Sequence, residues 1–282
     1  MSLSLVTNVQ SLKVQENLTA ATNAMNQAIE RMTTGYKINR AKDDAAGYSI
    51  ASQMEAKLSS YDVASNNAQI GIDMLTTTEE NYTLITGHLQ RIRDLAEQAA
   101  NGTYSTDSRS AIEAEIASRL AEIDRVAGSA EYNGMNLMDG SIAADINIQV
   151  GIDGSANSKV TLSLDLFGPA DAATLLGGAT NAAFAADCSG TEAWDHLSTI
   201  DAAIAEISGR VTTLGASQNR LESALDAISV TSENLTSSLS TVKDADIANE
   251  STRYIQSQIL QSAATTLLAT ANQTPSIALQ LI

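Results

Sequence analysis

The feature that most limits what this chain can fold into is the length of one apolar stripe. From Tyr61 the apolar residues recur at Ala64, Ala68, Ile72, Leu75, Tyr82, Ile85, Leu89, Ile92, Ala96 and Ala99, in steps of three and four, with one missed position near Thr78. That spacing keeps one face of an α-helix apolar, and it persists far beyond a typical globular helix of about 11–12 residues. A sustained stripe of this kind is a coiled-coil-like seam. Asn101-Gly102 ends it, since glycine suits the position just past a helix terminus. Ser105 or Thr106, with Asp107 behind it, then opens a second helix carrying Ile112, Ile116, Leu120 and Ile123 on one face, which breaks near Gly128.

The period changes in the middle of the chain. Ile146, Ile148, Val150 and Ile152 alternate with polar residues or glycine, as do Val160, Leu162, Leu164 and Leu166 with their neighbours, apart from Phe167. Gly154-Ser155-Ala156-Asn157-Ser158 lies between the two runs. The pattern predicts a β-hairpin near 142–167 with one apolar face, closed by Gly168-Pro169. The stretch 168–191 is rich in Ala and Gly and predicts one short helix at most. From Trp194 the helical seam returns, through Leu197, Ile200, Ile204, Ile207, Val211, Leu214, Leu221, Leu225, Ile228, Leu235, Leu239 and Val242. A last helix carries Ile255, Ile259, Ala263, Leu267 and Ala271, with Pro275 as its stop, and Leu18, Ala21, Met25, Ala28 and Met32 form a matching stripe near the other end. The layout is symmetrical, so the two ends can pair and the chain folds back on itself. Paired stripes read in two ways: as an intramolecular helical pair, or as marginal helices that complete their packing only against other copies and so build an open helical filament.

Composition supports this reading and excludes others. The chain of 282 residues is 44% hydrophobic but only 4% aromatic, with two prolines, so thin helical seams suit it better than a thick globular core. A net charge of −17 opposes binding to nucleic acid or to anionic membranes. No apolar run approaches a membrane span, and Met1 to Val6 carry no basic or apolar leader signature. One cysteine, Cys188, and two histidines, His88 and His196, offer neither a disulfide nor a metal set. Asp43-Asp44, Asp244 and Asp246 lie near helix starts and read as caps rather than as catalytic pairs. Asp153-Gly154-Ser155 reads as a turn, not a calcium loop, and Gly177-Gly178 is not a phosphate loop. No cofactor is called for, and Cys188 and Trp194 carry no assigned chemistry.

Several blocks, in order, are similar to one family. The run Ala28 to Gly47 (AIERMTTGYKINRAKDDAAG) resembles the segment that joins the inner terminal helix to the first rod helix of bacterial flagellins. Leu89 to Thr103 (LQRIRDLAEQAANGT) is similar to a second flagellin block. Ala121 to Val126 with Tyr132-Asn133-Gly134, Gln218 to Leu221, Asp244 to Ala248 and Leu268 to Pro275 match others. The resemblance implies a mainly α fold. It assigns residues 1–42 and 243–282 to an inner coiled-coil polymerisation domain. It assigns residues 43–242 to a rod domain of long helices with the hairpin, and sets 168–191 where many members insert large outer domains. It implies a secreted structural subunit, not an enzyme, that polymerises through stripes including Leu18, Met25, Met32, Ile255, Ile259 and Leu267. It also implies an export chaperone, cap and hook-junction proteins as partners. A hook–filament junction protein is the nearest alternative, and a filament carrying an enzymatic insert a more distant one.

The same comparison implies recognition by the animal innate receptor Toll-like receptor 5, through Arg91, Leu95, Gln98 and Glu115. Leu95 stands one position off the seam set by Leu89, Ile92 and Ala96, and Arg91 lies one turn before it. On spacing alone these residues read as a solvated charge pair and a surface leucine, as a contact between neighbouring protofilaments, or as an exposed Arg–Leu–Glu patch that a partner can grip.

Overall fold

A computed structural model of the chain describes residues 8–178, 180–189 and 193–280. The Met1–Val6 segment and positions 179, 190 and 191 of the middle stretch lie outside the described residues. Seven helices are described: α1 (Val9–Thr34), α2 (Ala45–Ala99), α3 (Thr106–Ser129), α4 (Ala172–Leu175), α5 (Asn181–Ser189), α6 (Ala193–Lys243) and α7 (Ile247–Gln280). Four short strands form two antiparallel pairs, β1 (Glu131–Tyr132) with β2 (Met135–Asn136) and β3 (Ile146–Gln149) with β4 (Lys159–Leu162). The fold is mainly α with a small hairpin, as the periodicity predicts. Among the described residues no helix is long and apolar enough to cross a membrane. The chain divides into two compact units, one of residues 1–58 with 233–282 and one of residues 59–232.

In the unit of residues 59–232, α2 buries Ala64, Ala68, Leu75, Tyr82, Ile85, Leu89, Ile92, Ala96 and Ala99. The missed position Thr78 is buried with them. Its hydroxyl donates to the Met74 carbonyl at 2.8 Å, which satisfies the polar group inside the helix and lets a threonine hold an apolar place. Ser217 does the same in α6 through the Thr213 carbonyl. α3 opens at Ser105, whose hydroxyl accepts the Ser108 amide, and buries Ile112, Ile116, Leu120 and Ile123. Gly71 stands where α2 meets α6 and the hairpin: a Cβ there would lie 3.1 Å from Leu221 and 3.3 Å from Ile148.

The hairpin is shorter than the alternation predicts. Ile146 pairs with Leu162 and Ile148 with Val160, but pairing stops at Gln149 and Leu162. Leu164–Phe167 is a 3₁₀ turn, not strand. It is opened by Ser163, whose hydroxyl accepts the Asp165 amide, and it buries Leu166 and Phe167 on adjacent positions, which a strand cannot do on one face. Ile152 is exposed because the chain bulges before it: the amides of Val150 and Gly151 both donate to the Ser158 carbonyl at 2.9 Å. The Asp153 carboxylate then holds the loop, accepting from the Ser155 amide and hydroxyl and from the Ser158 hydroxyl.

The stretch after the hairpin is more ordered than its composition predicts. Two short helices rather than one dock there, with Asp124 of α3 accepting the Ala172 amide at 2.8 Å and the Asn181 side chain. Phe184, Ala185 and Cys188 of α5 are buried. Arg210 of α6 ties down the chain just before them, donating to the carbonyls of Gly168 and Pro169 and to the Tyr82 hydroxyl.

Candidate assembly face

The terminal segments meet in the unit of residues 1–58 and 233–282, where the local sequence arranges two chain connections side by side. Gly35 ends α1 in the left-handed conformation (φ 75°), and its carbonyl accepts the Ala245 amide, while the Lys37 amide donates to the Lys243 carbonyl. Tyr36 and Asp244 thereby form a single antiparallel bridge. Lys243 reaches back over the Tyr36 ring at 4.4 Å and pairs with Glu55. The acidic residues are structural. Asp43 accepts the amides of Asn39 and Arg40, and the Arg40 amide above all holds its carboxyl below the ordinary range. Asp44 caps α2 through the amides of Ala46 and Gly47, and Asp246 caps α7 through Ala248 and Asn249.

From this clasp α1 and α7 run antiparallel. Arg31 pairs with Glu250 at 3.0 Å, Gln261 donates to the Thr22 hydroxyl at 3.2 Å, and Asn8 donates to the Ala271 carbonyl at 2.8 Å. Along α1 the sheltered positions are Ser11, Val14, Leu18, Ala21, Met25, Ala28 and Met32, so the predicted stripe does face its partner. The α7 side differs from the prediction. Its sheltered positions are Glu250, Tyr254, Ser257, Gln261, Ala264, Leu268 and Ala271. Of the expected stripe only Ala271 belongs to that face. Ile255, Ile259 and Leu267 are 54%, 64% and 58% exposed. Mostly small and polar residues, with Tyr254 and Leu268 among them, lie against α1, while Ile255, Ile259 and Leu267 point elsewhere. Leu260 is exposed too, and together with Leu267 it edges a groove of about 430 Å³ floored by Ala20, Ala21, Ala263 and Ala264.

Pro275 does not end α7, which runs on to Gln280. A proline has no amide to give the carbonyl four residues back. That carbonyl, of Ala271, receives the Asn8 side chain, so a contact from the other terminus supplies the donor. The same Asn8 caps α1 by accepting the Ser11 amide.

Comparison with known proteins decides the family. Residues 5–143 match the bacterial flagellin N-terminal helical region and residues 197–282 the bacterial flagellin C-terminal helical region. The chain belongs to the bacterial flagellins. It is 36% identical to a flagellin of Listeria monocytogenes over 98% of both chains, and 33% identical to the flagellar filament 33 kDa core protein of Treponema phagedenis over the same share. A putative flagellar hook-associated protein from Vibrio parahaemolyticus shares the fold, with a TM-score of 0.60 at 18% identity over 72% of this chain and all of that one. As a flagellin the chain is a structural subunit of the extracellular flagellar filament.

The residues expected to meet a receptor lie in the other unit. Arg91 of α2 and Glu115 of α3 form a partly exposed pair at 3.0 Å, and Arg119 approaches the same carboxylate at 3.7 Å. Gln98 is exposed and donates to the Tyr104 hydroxyl at 2.7 Å. Leu95 is not an exposed anchor: it is 2% exposed and packs within the core. α2 has neighbours on two flanks here, α3 through Arg91–Glu115 and α6 through Arg93–Asp201, so two adjacent stripes are covered where spacing alone predicts one. Sequence reasoning did not find Glu250 or Asn8. The signal for Glu250 was a charged residue at a position in phase with Ser257, Ala264 and Ala271.

Proposed function

We propose that the subunit polymerises by coupled folding and assembly, with residues 1–42 and 243–282 as the polymerising part. One observation carries the reading: Ile255, Ile259 and Leu267 remain exposed on a helix whose inner face is already occupied by α1. Burying the part of each that is still exposed offers roughly 1–2 kcal/mol, which neighbouring copies supply and the single chain does not. In the free monomer the terminal helices lack that burial, and ordering them costs about 1–2 kcal/mol per residue in backbone entropy alone. The clasp at Tyr36 and Asp244 anchors them for ordering at the growing end. The family implies export as an unfolded chain through a dedicated channel, with a chaperone, a cap and hook-junction proteins as partners.

The test is seeded growth. The full chain, given salt and filament seeds, extends long filaments visible by electron microscopy, and a chain lacking residues 1–42 and 243–282 stays soluble without extending them. Filaments built from the truncated chain contradict the reading. A full chain inert to every seed favours a junction role.

A second role is supported by the Arg91–Glu115 pair, which stands at the surface with Gln98 on the same helix as Arg91. We propose that Toll-like receptor 5 contacts Arg91, Gln98 and Glu115 on the monomer, with Leu95 holding that surface in place from below. Replacing Arg91 and Glu115 by Ala lowers receptor signalling by about tenfold or more. Unchanged signalling by the soluble variant contradicts the assignment.

A further inference from the structure

Both faces of the α1–α7 pair repeat every seven residues, so sliding one helix past the other by seven brings an equivalent set of positions together. The apolar residues of α1 discriminate weakly against such a slip, because Leu18, Met25 and Met32 stand seven apart, as do Ala21 and Ala28, so a slip exchanges like for like. The backbone clasp at Gly35–Ala245 and Lys37–Lys243 holds one end of the pair; within the helices themselves the side-chain contact that discriminates most is a charge. Glu250 is 6% exposed at the end of the sheltered α7 face, and its Oε1 takes the Arg31 guanidinium at 3.0 Å. Arg253 also reaches that oxygen, at 3.3 Å, but it sits on the same helix and moves with Glu250, so it is indifferent to the alignment. Among the described residues, Arg31 is the cation that reads it from α1. A slip of seven residues would set Ala24 where Arg31 stands and leave the carboxylate sheltered without its cross-helix partner.

We propose that Glu250, through Arg31, is the register-setting residue of the terminal helix pair, holding α1 and α7 in the one alignment that presents the exposed α7 stripe at a fixed height. The consequence for filaments rests on the assembly reading above; the alignment itself does not. A single polar contact inside a repeating seam is a known means of selecting register at some cost in stability.

Cross-linking on the full-length chain tests this, with Cys188→Ser removing the native thiol. One version carries Thr22→Cys with Gln261→Cys, which stand opposite each other in the present alignment. The other carries Gln15→Cys with Gln261→Cys, which meet only after a slip of about 10 Å. A short bis-maleimide is applied to seeded filaments, where α1 and α7 are ordered, or to the chain alone if it extends none, and intrachain products are separated by gel from dimers. With Arg31 and Glu250 intact, the aligned pair cross-links about tenfold or more over the slipped pair. In Arg31→Leu with Glu250→Leu, which removes both charges together and leaves neither buried alone, helicity is retained and the preference falls to within about twofold. Glu250→Gln, which removes the charge but keeps a hydrogen-bonding group, retains only part of the preference. A double variant with the intact preference overturns the proposal, as does an intact chain that cross-links both pairs equally. If the intact chain extends no filament, the assembly reading fails, and the cross-linking ratio still decides the register.

Discussion

Single residues show how much of this chain is held by short polar side chains placed inside apolar seams. Thr78 and Ser217 keep their helices continuous by returning their hydroxyls to backbone carbonyls, and for that reason the apolar spacing skips them while burial does not. Asp124 works across elements. Replacing it by Ala removes the acceptor for the Ala172 amide and the Asn181 side chain, at a cost of about 1–3 kcal/mol. Cys188 reports the result, since burial pushes its thiol up to about 12 in the docked helix. Its labelling by a thiol reagent rises by about tenfold or more in Asp124→Ala; labelling at the native rate contradicts the docking role. Asp153 sets a pH dependence. The Ser158 hydroxyl, then Ser155, holds its carboxyl below the ordinary carboxylate range, so its contribution to the loop is present above that range and is lost as pH falls through the lower folded value. Amide exchange at Ser155 accelerates in that acid window in the native chain, and in Asp153→Asn the acid-dependent step disappears.

At the scale of elements, the long helices were legible because a period of three and four repeated over many turns admits no other structure. Where sequence failed, two faces competed. The aliphatic residues of α7 are its most visible stripe, yet the face against α1 mixes Tyr254 and Leu268 with Glu, Ser, Gln and Ala, a pattern that hydropathy scores weakly. Leu95 is the converse case: two packed neighbours bury a position that one seam leaves open. The hairpin's alternation continued past its hydrogen bonds because a 3₁₀ turn also sends Leu166 and Phe167 inward. Family blocks, by contrast, resolve into geometry. Within AKDDAAG, Asp43 gathers the loop amides, Asp44 caps α2, and Gly47 has no space for a side chain, since a Cβ would fall 2.4 Å from the Asp44 carboxylate and 2.6 Å from Ile38. Gly47→Ala therefore destabilises the start of α2 by about 1–3 kcal/mol. Thermal unfolding of the variant monomer with an unchanged midpoint contradicts that crowding.

For the molecule as a whole, fold and family were legible from blocks spread over both ends, and the assembly face was legible only in part. The sequence names the stripe residues but not which of them the chain itself covers. The structure separates them: Leu18, Met25 and Met32 lie on the sheltered face of α1, and Ile255, Ile259 and Leu267 stay exposed. A net charge of −17 keeps a chain with such a stripe soluble before it reaches a growing end. The central claim is that the exposed α7 stripe builds the filament, and seeded growth of the full chain carrying Ile255→Ser, Ile259→Ser and Leu267→Ser measures it most directly. The account predicts a soluble monomer with the intact fold of residues 59–232, judged by thermal unfolding, that extends no filament from native seeds. Filaments of normal length and rate from that variant would contradict it.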